Sequence, residues 1–158
     1  MTVIAQPHGL YFEDLEVGDV IQTDGRTITE ADIVLFAGLS GDHYKLHTNE
    51  EYAKTTPFGT RIAHGLLVLS IGTGLAMQLG FLNGTVEAFM GLDWQFRRPV
   101  FIGDTIHVEA EVAEKKPMKR LGGGLITLKT RILNQKGEVV QRGTWTILVK
   151  SRGATSAT

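Results

Sequence analysis

Asp42 and His47 stand five residues apart in the polar stretch SGDHYKLH, Ser40 to His47, between two apolar runs. Ordinary carboxylate and imidazole pKa values lie about 2 to 3 units apart, so near neutrality one group accepts a proton while the other shuttles one. The same residues also suit local work, with Asp42 capping a turn and His47 bonding a backbone carbonyl. Gly65 follows His64 at the head of a long apolar run. There its N–H, free of an intrahelical partner, would face developing negative charge, and the missing Cβ lets a ligand approach. Close packing at a helix entry is the plainer use of such a glycine. A base, an acid and a donor to an enolate-like oxygen are together what the addition of water to an activated double bond requires.

Other groups offer other chemistry. His43, His47 and His64 with Asp42 are donors of the kind that hold iron or zinc, but their spacing matches no established metal motif, and no metal is expected. Arg97-Arg98 and Lys115-Lys116-Lys119-Arg120 suit the phosphates of a coenzyme, or are solvated charges of hairpin turns. Phe36, Leu39, Phe58 and Met90 fit an acyl channel or an ordinary core. Tyr44 and Trp94 read as packing residues.

These groups need elements to position them. RIAHGLLVLSIGTGLAMQLG, Arg61 to Gly80, is apolar on almost every face, and the spacing predicts a core helix covered on nearly all sides. Ser70, Gly72, Thr73 and Gly74 interrupt it too often for a membrane span. Thr29 is the expected N-cap of a helix ended by Gly38, a loop runs from Leu39 to Thr48, and Asn49 caps a short helix reaching Lys54. VGDVIQT, from Val17, predicts a short strand. After Gly80 the period changes: residues 86–96, 105–114, 125–133 and 139–149 read as strands, with turns at Gly103-Asp104, along EKKPMKRLGGG, and at Asn134–Gly137. Connections this short forbid parallel neighbours and predict an antiparallel meander against the helix. Ile106, Val108, Ala110 and Val112 alternate with polar residues, as in a strand with one wet face.

At 158 residues the chain predicts one domain over 1–150, with an arm at 1–10 and a disordered tail at 151–158. A formal net charge of −1 points to neither nucleic acid nor an anionic membrane. With no cysteine, disulfides and thiol nucleophiles are excluded. The first residues lack a basic segment followed by an apolar one, so a cytoplasmic location is expected.

GDHYKLH at Gly41 to His47, RIAHGLL at Arg61 to Leu67 and DWQFRRPVFIGDTI at Asp93 to Ile106 together resemble the MaoC-like dehydratases, or (R)-specific enoyl-CoA hydratases, over roughly residues 10–150. The resemblance implies a hotdog fold of the α+β class, an antiparallel sheet wrapped around one long helix and paired with a second copy, as a homodimer or higher oligomer. It implies Asp42 and His47 as the catalytic pair, Gly65 N–H at the thioester oxygen, and reversible hydration of a trans-2-enoyl-CoA to a (3R)-hydroxyacyl-CoA. Coenzyme A is then part of the substrate, and no cofactor or metal is needed. Where many members carry Asn-Pro between the two catalytic residues, this chain has Tyr44-Lys45. Hotdog proteins also hydrolyse thioesters, and a non-catalytic acyl-CoA-binding subunit is the third reading.

Overall fold

The computed structural model describes residues 8–153. Short strands β1 (Val20–Gln22) and β2 (Arg26–Thr27) precede helix α1 (Glu30–Ser40) and two single-turn helices, α2 (Lys45–Thr48) and α3 (Glu50–Lys54). Then come the long helix α4 (Gly65–Gln78) and four long strands, β3 (Val86–Phe96), β4 (Thr105–Met118), β5 (Gly123–Leu133) and β6 (Val139–Lys150).

Side-chain alternation drives the sheet. Ile106, Val108 and Val112 are completely buried and Ala110 nearly so, while Glu111 on the opposite face is exposed. The buried face lies against α4, where Gly72 allows close approach: a Cβ there would come within 2.6 Å of Ile132. Leu67, Val68, Ile71 and Leu75 fill the space between helix and sheet. The expected antiparallel sheet wrapped around one long helix is therefore present.

Several boundaries and one adjacency differ from the sequence reading. The strand order is β1-β4-β5-β6-β3, with β2 also paired to β4, so only β4, β5 and β6 form a meander. Short connections constrained direction, not neighbours: β3 runs antiparallel to β4, yet residues 97–104 carry the chain across so that β3 pairs with β6. The hairpin expected along EKKPMKRLGGG shrinks to Lys119–Gly122, because residues 114–118 stay paired with 123–127. Helix α1 runs through Gly38 and ends at Gly41, whose φ of 78° is the left-handed cap that Gly38 does not provide. The long helix begins at Gly65, since Ile62 is held extended by a bridge to Phe101 and Ala63 N–H donates to Val100 O. Nor is α4 covered all round: Leu66 is 58% and Met77 41% exposed.

Gly9 and Leu10 of the expected arm are bonded to Asn83 and Phe81, and residues 1–7 lie outside the described residues. Of the expected tail, Ser151 N–H donates to Gly122 O and Arg152 binds Glu13 and Asp14, while 154–158 lie outside the described residues. Among the described residues no helix is long and apolar enough to cross a membrane.

Candidate active site

Thr29 accepts a hydrogen bond from Asp32 N–H, and the Asp32 carboxylate accepts from Thr29 N–H, so α1 starts on a reciprocal cap. It ends at Gly41, which delivers Asp42 directly after the cap. Asp42 N–H donates to Ser40 Oγ (3.2 Å), and Asp42 Oδ1 accepts from Tyr44 N–H (3.1 Å). This bond to the second residue on is the turn-capping use foreseen for Asp42, and it occupies one carboxylate oxygen only. His47 sits on α2, a helical turn where the sequence suggested loop, because four residues are too few to show a helical period.

His47 is half-buried, and its Nδ1 lies 2.7 Å from Ile62 O. A carbonyl only accepts, so Nδ1 carries the proton and Nε2 is left for chemistry. His64, 2% exposed, places Nε2 2.9 Å from Asp42 O, which makes Nε2 its protonated nitrogen by the same logic. The two imidazoles stack with centroids 3.8 Å apart and planes inclined by 27°. Burial, chiefly, holds the His64 imidazole below its ordinary pKa range, with His47 acting in the same direction and the Asp42 carbonyl against it. One atom each of Asp42, His47 and His64 fall within 4.8 Å of one another.

Gly65 lies at the first turn of α4, beside this trio. Its carbonyl accepts from Gln141 Nε2 (2.9 Å), and Gln141 Oε1 accepts from Trp94 Nε1 (2.8 Å). Trp94, read as a packing residue, thus also anchors a buried polar chain between sheet and helix. A Cβ at Gly65 would meet the Phe96 ring at 2.7 Å. Arg61 clamps the approach to α4, donating to Glu50 and Glu30 at 2.7 Å each; the bond from Arg61 holds Glu30 below its ordinary range, and bonds from Thr60 and Arg61 do the same for Glu50.

His47 and Gly65 open on a cleft of about 480 Å³, walled by Phe58, Ile62, Leu66, Val68 and Phe96. Of the residues suggested for an acyl channel, Phe58 lines it; Phe36 packs against the core instead, with its ring 5.0 Å from that of His64. Leu39 and Met90 are exposed. Arg97 and Arg98 stand at the cleft. Lys115 belongs elsewhere, over the Phe12 ring and 3.8 Å from Glu16. Sequence reasoning listed His64 only as a metal ligand and passed over Gln141 and Arg61. A polar Gln141 following Val139-Val140 within a strand was the available signal.

A family model described as the MaoC like domain matches residues 14–131. The chain is 40% identical to the (R)-specific enoyl-CoA hydratase of Rhodospirillum rubrum over 90% of this chain and 94% of that protein. It is 43% identical to the 3-hydroxybutyryl-CoA dehydratase of Methylorubrum extorquens, over 70% of this chain and 69% of that one. Among solved structures, the monoamine oxidase regulatory protein of an Archaeoglobus species superposes with a TM-score of 0.87 at 42% identity, covering 94% of this chain and 99% of the other. A protein of Mycobacterium tuberculosis described as a double hotdog fold superposes at 0.76 and 20% identity, over 95% of this chain and 47% of that one, a likeness of fold. The chain belongs to the MaoC-like dehydratase family.

Proposed function

We propose that this MaoC-like chain reversibly hydrates a trans-2-enoyl-CoA to a (3R)-hydroxyacyl-CoA, through Asp42, His47 and the N–H of Gly65. The observation that carries the reading is the meeting, beside an apolar cleft, of a carboxylate, an imidazole with Nε2 available, and a glycine at a helix start. Relatives named for enoyl-CoA hydration and 3-hydroxybutyryl-CoA dehydration agree with it.

In hydration a water sits between Asp42 and His47. Asp42 takes its proton as the oxygen adds to C3, protonated His47 delivers a proton from Nε2 to C2, and the proton on Asp42 then passes to His47 as product leaves, which resets the pair. Gly65 N–H receives the negative charge that gathers on the thioester oxygen, aided by the start of α4. Dehydration runs the same transfers backwards. No resident cofactor or metal enters, and coenzyme A is the handle of the substrate. Arg97 and Arg98 at the cleft suit its phosphates.

Among the described residues strand β3 is paired on one edge only, by β6, and Phe89, Met90, Leu92 and Phe96 along it are about half exposed. A long apolar edge strand invites pairing, and the working form we propose is a homodimer joined there.

Crotonyl-CoA absorbance, followed with a thiol-release assay, tests the reading. The enoyl signal falls without thiol release, and Asp42→Ala or His47→Ala slows it by about 10²- to 10⁴-fold. Thiol release would instead identify a thioesterase, and binding without either signal a non-catalytic subunit.

A further inference from the structure

We infer that His64 is a positioning residue of this site, its side chain holding Asp42 and His47 relative to one another beside the N–H of Gly65. The inference rests on the acid/base reading of that pair. Three contacts support it. Nε2–H of His64 bonds the Asp42 carbonyl, its ring stacks on that of His47, and its own peptide group supplies the N–H of Gly65. The Phe36 ring covers it at 5.0 Å, so the imidazole is held between α1 and α2 at the entry to α4.

Ordinary packing or capping does not account for a histidine here. His64 occupies the N-cap of α4, yet its side chain makes no capping bond to the helix. It is 2% exposed, and among the described residues its Nδ1 is buried with no hydrogen-bond partner. An apolar side chain would fill the space without burying that nitrogen, which makes the imidazole costly unless its donor and flat face are both used. Both are used, on the two residues that must share one water. A displacement of about 1 Å between reacting groups costs on the order of 10²-fold in rate.

Three variants separate the contacts. His64→Gln keeps an N–H donor for Asp42 O and loses the stack; His64→Phe keeps a ring against His47 and loses the donor; His64→Ala loses both. Kinetics with crotonyl-CoA, beside wild type and Asp42→Asn, should show kcat reduced about 10²-fold in His64→Ala, with KM changed less than about threefold. Gln and Phe should each restore part of kcat. Should the alanine variant fail to fold, the other two carry the comparison. ¹⁵N histidine spectra of the wild type should show His64 protonated at Nε2 and His47 at Nδ1, with the His47 pattern altered in His64→Ala or, if that variant does not fold, in His64→Gln, whatever the turnover.

A folded His64→Ala with wild-type kcat would overturn the inference. So would a change confined to KM, or spectra placing the His64 proton on Nδ1. If Asp42→Asn alone lost activity, the positioning role would fall while the hydratase reading stood. Equal rates in wild type and Asp42→Asn would sink the hydratase reading, and the spectra would still decide whether His64 holds the pair.

Discussion

Gln141 gives the sharpest test of how the sheet holds the entry of α4. It is 2% exposed, with its amide nitrogen on Gly65 O and its amide oxygen on Trp94 Nε1. Gln141→Leu keeps the volume and removes both bonds. Trp94, which is half-buried, then leaves its Nε1–H without an acceptor, at a cost of about 1 to 3 kcal/mol. Gly65 O retains a second lone pair for the helix, so its loss is nearer 1 kcal/mol. Some of the sum returns through the extra apolar burial, leaving a destabilisation of about 2 to 3 kcal/mol. Gln141→Glu is the complement: it still accepts from Trp94, but as a carboxylate it faces a carbonyl it cannot donate to. Its pKa in the folded protein should rise, so the stability it retains is present at low pH and lost as pH climbs through the folded pKa. Urea unfolding at pH 5 and pH 8 measures both effects. The leucine variant should be equally destabilised at the two pH values, and the glutamate variant markedly worse at pH 8. A leucine variant within 0.5 kcal/mol of wild type would refute the reasoning, as would a glutamate variant insensitive to pH.

Further predictions concern other parts of the molecule. Because burial lowers the pKa of His64, the unfolded chain takes up its proton first, and stability should fall as pH drops from about 6.5 through the folded value; the difference in Tm between wild type and His64→Gln over pH 7 to 5 isolates this slope. Arg97→Ala should raise KM for crotonyl-CoA several-fold at low salt and leave kcat near wild type, with the difference shrinking in 0.5 M NaCl as phosphate attraction is screened. Gly72→Val should cost about 1 to 3 kcal/mol in urea unfolding by wedging α4 away from Ile132 and Val108, and an unchanged midpoint would contradict the close packing there. Met90→Lys, on the exposed flank of β3, should shift the mass by light scattering from dimer towards monomer; an unshifted dimer would place the interface elsewhere.

Local chemistry made much of this protein legible without coordinates. Thr29 and Asn49 announce their helices because a cap acts within three residues, and Ile106 to Val112 announce a half-buried strand because alternation is a property of neighbours. Asp42 and His47 stood out as polar, chemically able residues in a short stretch, and the motif around them pointed to the family. What spans the chain was not legible. Short connections set strand direction, but only packing over α4 decides that β3 leaves β4 for β6. The roles of His64 and Gln141 depend on partners 22 and 76 residues away, brought together by the crossing of α1, α4 and β6. A sequence states which groups a residue can bond, whereas the tertiary structure selects which lone pair and which ring face remain for the substrate, because burial and register are properties of the assembled chain.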